Sequence, residues 1–348
     1  MKVSDGVRIP LHARCMNPLL LRARGYKPVM EILHTNLTNP TLLFFLLGVL
    51  AVLVRSDLEI PAPSVRFISL YLLFAIGFKG GQELAHGGFN LGVLKALLFG
   101  MVLSFIIPVY AFFLLKRRLG ISNAGAVAAS YGSVSAVTFV AAVGFLEMES
   151  LTFGGHMVAV MALMESPAII AGVVLMKYYD REGGSTVSMG SILRHAMTNG
   201  SVLLLLGSLL IGIVADTRQA EGIRPFTTDI FKGFLAIFLL EMGMVTARRF
   251  AAFRRHGYFV ILFALLMPAL NGSIVAWLSH WVTDQPGDRL IFAILAASAS
   301  YIAVPAAMRI AAPTADPGIY IPMALGVTFP FNITVGMPLF FAIIQAFP

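Results

Sequence analysis

The sequence predicts an all-α protein that crosses a membrane about ten times. Hydrophobic residues make up 58% of its 348 residues, charged residues make up 12%, and the mean hydropathy is +0.86. Soluble domains are about half apolar and about a quarter charged, so this composition is typical of a polytopic membrane protein. Apolar runs that could each cross a bilayer occur at about 40–54, 67–78, 91–115, 124–146, 157–176, 201–215, 230–246, 257–280, 290–312 and 318–346. The run at 67–78 is short, so its flanking residues must help it to cross.

The longest hydrophilic connection separates the runs into two sets of five. We therefore expect a first five-helix repeat at 30–180, a cytoplasmic connecting loop at 181–199 and a second repeat at 200–348. Because five is an odd number, the second set enters the membrane in the opposite orientation, which defines an inverted-topology repeat.

Loop charges predict the orientation of these runs. Loops after the odd-numbered runs carry about twice as many Lys and Arg residues as the other loops, which predicts that they are cytoplasmic. Both termini would then lie outside a plasma (inner) membrane. The net charge of +8 is explained by these loops and does not indicate a nucleic-acid partner. Residues 1–29 are basic and fit poorly on the outside, so we predict a disordered or mis-annotated leader, with translation starting at Met30.

Two Ser-rich stretches interrupt the fourth and ninth runs at matching positions. They are Tyr131–Thr138 and Ser298–Pro305, and Ser133 precedes Ser298 by 165 positions, as Ser135 precedes Ser300. Paired breaks of this kind predict that helices 4 and 9 are broken and cross near the membrane midplane, around a transported solute. The alternative is that these small residues only allow close helix packing.

A second match supports a duplicated chain. The stretch Ala75–Lys79 in the second run resembles Glu241–Val245 in the seventh, at an offset of 166 positions. Chance similarity between two apolar helices rich in Gly and Ala is the alternative. Several matches in order at nearly one offset favour duplication.

Broken helices would expose backbone groups that suit small ions. Helix N-termini carry partial positive charge and free N–H groups, which favour an anion. Carbonyl, hydroxyl and carboxylate oxygens favour a hard cation such as Na⁺. The predicted anion-binding residues are Gly132, Ser133, Ser135, Ser298, Ser300 and Tyr301. The predicted cation-binding residues are Thr138, Glu165, Ala303, Thr328 and Asn332. Glu165 and Asn332 could instead serve only as structural partners of neighbouring helices.

Several other classes of function lack their signatures. The sequence contains no G-x-x-x-x-G-K-[ST] motif for ATP binding and no H-E-x-x-H motif for zinc. Cys15 is the one cysteine, which excludes an internal disulfide and a multi-cysteine metal site. We therefore expect neither an enzyme nor a resident cofactor, with an intramembrane hydrolase as a weaker alternative.

Three stretches resemble the sodium-dependent bicarbonate transporter family. They are Tyr131–Thr138, Ser298–Ala307 and Leu325–Asn332, and the resemblance extends over about residues 38–348. It implies a transport domain that contains the broken helices and a gate domain that supports it. It also implies Na⁺-coupled symport of bicarbonate by an elevator-like movement, a homotrimer, and a cytoplasmic regulator similar to the PII proteins. Transport of another small organic anion, or a sensor or channel without coupled transport, remains an alternative.

Overall fold

The computed structural model describes residues 38–347, except residues 89, 180–189, 191–193, 195–199 and 254–256. The predicted leader at 1–29 and most of the predicted connecting loop at 181–199 lie outside the described residues. Within the described part of the chain all regular secondary structure is helical, which confirms the predicted all-α class.

The described helices follow the apolar runs. In chain order they are α1 Pro40–Leu53, α2 Ala62–Gly87, α3 Leu91–Leu119, α4 Ile121–Gly132, α5 Ala136–Met148, α6 His156–Tyr179, α7 Gly200–Val214, α8 Thr217–Arg224, α9 Phe231–Phe253, α10 Tyr258–Leu278, α11 Pro286–Ala297, α12 Ala303–Ala311 and α13 Pro317–Ala346. A π-helical turn, Pro225–Asp229, joins α8 to α9. Two further π-helical segments, Met323–Thr328 and Asn332–Gly336, lie within α13.

Seven helical stretches among the described residues are long and apolar enough to cross a membrane. Two of these stretches combine neighbouring helices, α4 with α5 and α8 with α9, while α1 and α7 are apolar but shorter. The protein is therefore a multi-pass membrane protein. The count of ten crossings and the inverted repeat remain predictions.

The second predicted crossing is longer than its apolar run. The run ends at Phe78, but α2 continues to Gly87 through polar residues. One of these, Gln82, donates its side-chain N–H to the carbonyl oxygens of Gly212 and Ala215, the latter at 3.1 Å. Gln82 therefore joins the polar C-terminal part of α2 to the end of α7.

The helices pack as two groups. In the first group α1 packs on α9, α2 packs on both α7 and α9, and the π-helical turn after α8 contacts α2; we call α1, α2 and α7–α9 the scaffold group. In the second, α3 packs on α4 and α6, while α10 packs on α11 and α13; we call α3–α6 and α10–α13 the core group. Every residue of α11 from Gly287 to Ala297 is buried, so this helix lies at the centre of the core group.

Candidate functional site

Two short non-helical segments interrupt the core group. Between α4 and α5 the segment spans residues 133–135, and between α11 and α12 it spans 298–302. The two helices before them end in the same extended conformation, at Ser133 (φ −81°, ψ 174°) and Ser298 (φ −83°, ψ 167°). The residues that end both helices are 165 positions apart, which is the spacing found in the sequence.

The two segments lie in direct contact through hydrogen bonds. The Ser300 N–H donates to the Ser130 carbonyl oxygen at 2.8 Å, and the Ser130 hydroxyl donates to the Ser300 carbonyl oxygen at 2.6 Å. The Ser135 N–H donates to the Ser298 hydroxyl oxygen at 3.0 Å. Buried backbone groups that leave a helix must find other partners, and here Ser130 in the last turn of α4 and the Ser298 hydroxyl supply them.

The helices that follow the interruptions begin beside each other. The Ser135 hydroxyl oxygen caps α5 by accepting a hydrogen bond from the Thr138 N–H at 3.2 Å. Ile302, which precedes α12, has no side-chain acceptor for such a bond. Because the first N–H groups of a helix lack partners within it, the N-terminus of α12 and the rest of the first turn of α5 can face an anion.

A small cavity lies where these elements meet. Its volume is about 30 Å³, and residues from both interruptions, from α6 and from α7 line it. The lining residues that the sequence predicted are Ser135, Glu165, Ser300, Tyr301 and Ala303. The structure therefore brings together candidates for anion binding and for cation binding around one space. Val134, Ala136, Ser201 and Ile302 complete the lining.

Four other predicted residues lie close to this cavity but do not line it. Gly132 packs against the Pro108 ring of α3, so closely that a Cβ atom would overlap the ring. Ser133 is fully buried, and its hydroxyl oxygen has no hydrogen-bond partner among the described residues. The Ser298 hydroxyl donates to the Leu295 carbonyl oxygen at 2.9 Å, and Thr138 is buried within the first turn of α5. These four residues therefore lie behind the residues that line the cavity.

The two predicted residues on α13 brace the cavity from behind. The Thr328 hydroxyl donates to the Ala264 carbonyl oxygen of α10 at 2.8 Å, so the Tyr131 hydroxyl, 2.7 Å away, is the donor to Thr328. Asn332 donates its side-chain N–H to the Ala297 carbonyl oxygen at 2.8 Å. Each lies in a π-helical segment, and such segments are frequent at functional sites.

The sequence analysis missed a second amide that holds the end of α11. The Asn271 side chain donates to the Ala296 carbonyl oxygen at 3.2 Å and accepts a hydrogen bond from the Tyr110 hydroxyl at 2.5 Å. Together with Asn332, it satisfies the last two carbonyl groups of α11. Asn271 is the one amide side chain in the apolar run at 257–280, and a lone polar residue in such a run could have marked it as a structural or functional residue. Ser201 carried no comparable signal, because small hydroxyl residues are common in membrane helices.

Comparison with known proteins gives one match. The family model of the Na⁺-dependent bicarbonate transporter superfamily matches residues 40–345, which is most of the chain and includes every residue that lines the cavity. No curated protein matches the chain.

Proposed function

Because the chain belongs to the Na⁺-dependent bicarbonate transporter superfamily, we propose that it is a symporter that couples bicarbonate uptake to Na⁺ entry. The match confirms the family expected from the three sequence stretches. This family transports solutes and is not an enzyme family. Uptake of bicarbonate into the cell would require the plasma membrane, and the loop charges favour an orientation with both termini outside.

The cavity between the two interruptions is the proposed binding site. The main support for this proposal is that two helix N-termini, serine hydroxyls and the Glu165 carboxylate surround the same cavity. Bicarbonate would bind at the first turns of α5 and α12, near Ser135 and Ser300. Na⁺ would bind to the Glu165 carboxylate and to nearby hydroxyl and carbonyl oxygens. Bound solute replaces the hydrogen bonds that an unwound segment in the membrane would otherwise lack.

The size of the cavity favours Na⁺ binding before bicarbonate. A water needs about 10–15 Å³ of such space, so 30 Å³ holds about two water-sized particles. A dehydrated Na⁺ ion fits this space, whereas bicarbonate has four heavy atoms and requires the lining to separate. Na⁺ bound at Glu165 would also reduce the electrostatic repulsion between that carboxylate and the anion. By linkage, each ion would then raise the affinity for the other by the same factor.

We also propose that the chain is an inverted repeat of ten crossings with broken helices 4 and 9. Helix packing supports this proposal. The first run (α1) packs on the seventh (α9), and the sixth run (α7) packs on the second (α2). These two contacts are equivalent if the first run corresponds to the sixth and the second to the seventh. The core group would move as the transport domain against the scaffold group, in an elevator-like cycle. A homotrimer and a PII-like regulator are proposed from the family resemblance.

Flux measurements in proteoliposomes test the proposed transport. Labelled bicarbonate should accumulate when an inward Na⁺ gradient is imposed, and accumulation should stop when K⁺ replaces Na⁺. Unlabelled small carboxylates should compete poorly. Accumulation that ignores the Na⁺ gradient would refute coupling, and stronger competition from an organic anion would identify a different substrate.

Removing two hydroxyl groups tests the proposed site. We expect the double variant Ser135→Ala/Ser300→Ala to bind bicarbonate at least tenfold more weakly, since each buried hydrogen bond to a charged group contributes about 1.5–3 kcal/mol. Ser104→Ala is the matched control, because Ser104 is equally buried but bonds only to Met101 in its own helix. Unchanged bicarbonate affinity in a well-expressed double variant would remove these residues from the site.

A further inference from the structure

A second, wider cavity separates the two helix groups near the C-terminal ends of α2 and α5. Its volume is about 590 Å³, and we call it the vestibule. The core group contributes Val143, Leu146, Glu147 and residues 150–153, and the scaffold group contributes Lys79, Glu83, Thr228, Asp229 and Lys232. The vestibule therefore lies on the boundary across which the two groups would slide.

Two ion pairs cross this boundary at a single carboxylate. One Glu147 oxygen lies 3.9 Å from the Lys79 ammonium nitrogen, and the other lies 3.3 Å from that of Lys232. Glu147 belongs to α5, whereas the two lysines belong to α2 and α9. By contrast, the ion pair between His156 and Asp288 joins two helices of the core group. The Glu147 pairs thus connect groups that the proposed transport cycle must separate.

Helix α5 connects these ion pairs to the candidate binding site. Ser135 caps its N-terminus at the small cavity, and Glu147 lies in its last turn at the vestibule. A helix of 13 residues is about 20 Å long and behaves as a stiff rod over that length. A displacement of α5 at the binding site therefore also displaces Glu147 from its two lysines.

We propose that Glu147, Lys79 and Lys232 form an ionic latch that holds the two groups in the arrangement seen here and opens during each transport cycle. The Lys79 and Lys232 side chains are 42% and 67% exposed, and Glu147 is 24% exposed. Partly exposed ion pairs are weak, so the latch can bias the conformational equilibrium without locking it. This inference rests on the proposed transport function and adds the residues that control the movement.

Cross-linking across the boundary tests the latch directly. Replacing Cys15, the one cysteine, by Ser gives a cysteine-free parent. Glu147→Cys and Lys232→Cys are then introduced together and joined with a short bifunctional methanethiosulfonate reagent. We expect the cross-link to form and to lower Na⁺-dependent bicarbonate uptake at least tenfold. Uptake should recover when a thiol reductant cleaves the cross-link.

The matched control cross-links two positions within the core group. Ser122 on α4 is half-buried and Thr314 after α12 is exposed, and a hydrogen bond of 3.0 Å joins their hydroxyl groups. The pair Ser122→Cys/Thr314→Cys should cross-link with the same reagent and keep its uptake within twofold. Full uptake by the protein cross-linked at 147 and 232, or failure of that link to form, would overturn the latch. No uptake by the cysteine-free parent would instead refute the proposed transport function.

A charge exchange provides an independent test. Lys232→Glu places two carboxylates together, and we expect bicarbonate uptake to change at least threefold. Adding Glu147→Lys together with Lys79→Glu restores opposite charges in both pairs, and uptake should return to within twofold of the parent. Replacing the exposed Lys95, which lies outside the vestibule, by Glu controls for surface charge. Additive effects of the three vestibule substitutions, without restoration, would contradict direct ion pairs.

Discussion

Among single side chains, Glu165 carries the clearest consequence for ion coupling. It lines the 30 Å³ cavity, and in the described part of the chain no basic side chain forms an ion pair with it. A carboxylate in that position is available to a cation that enters the cavity. We expect Glu165→Gln to raise the half-saturating Na⁺ concentration at least tenfold, because the neutral amide keeps the shape but loses the charge. Uptake measured against Na⁺ concentration checks this.

A matched control separates the role of this carboxylate from a general loss of negative charge. Glu221 on α8 is exposed, and Glu221→Gln should leave the Na⁺ dependence within twofold of the parent. If Glu165→Gln also retains the parent Na⁺ dependence, Glu165 is a structural residue and Na⁺ binds elsewhere.

Among the helices, the C-terminal end of α11 is held by the side-chain amides of two residues, only one of which was predicted from the sequence. Asn332 was a candidate because it is an amide in an apolar helix, but its side chain holds the Ala297 carbonyl group outside the cavity. Asn271 performs the same task on Ala296 and was not predicted. The apolar runs indicated where helices lie, since hydropathy reflects burial in lipid or protein. Hydrogen-bond partners between helices depend on rotation and depth, which hydropathy does not specify.

Removal of the Asn271 amide should destabilise this arrangement. Asn271→Leu leaves the Tyr110 hydroxyl and the Ala296 carbonyl oxygen without their partner, so we expect a loss of about 1–2 kcal/mol in unfolding free energy. Thermal unfolding in detergent micelles, calibrated by reversible denaturation, measures this loss. Leu270→Ala is the control, because Leu270 is adjacent but 57% exposed on the lipid side.

The Tyr110 hydroxyl provides a further check on the same network. Tyr110→Phe alone should destabilise the protein, but it should add little to Asn271→Leu, since the two side chains share one hydrogen bond. Fully additive losses would show that Tyr110 and Asn271 stabilise the protein independently of their shared hydrogen bond.

For the protein as a whole, two close helix crossings join the scaffold group. Gly243 on α9 packs against the Phe45 carbonyl group of α1, and Gly212 on α7 packs against the Phe78 carbonyl group of α2. In the proposed inverted repeat, α1 corresponds to α7 and α2 to α9. The two crossings would then be copies of one ancestral contact, in which Gly212 corresponds to Gly48 on α1 and Gly243 to Gly77 on α2; Gly48 packs against the Leu240 carbonyl group and Gly77 against the Leu205 carbonyl group across the same crossings.

Substitution by Ala should have opposite effects at contact and open glycines of the same helix. At Gly207 on α7 and Gly233 on α9 a Cβ atom meets nothing within 4 Å, so Ala should stabilise each helix by up to about 1 kcal/mol. At Gly212 and Gly243 the added Cβ atom would overlap a neighbouring backbone carbonyl, so Ala should cost about 1–3 kcal/mol as the helices separate. Ala at Gly48, where the added Cβ atom would overlap the Leu240 carbonyl group, should cost about as much as Ala at its counterpart Gly212, and similar losses measured by thermal unfolding would support the repeat. If Ala at Gly212 stabilises the protein as it does at Gly207, α2 and α7 are not in backbone contact and the proposed correspondence between the two crossings fails.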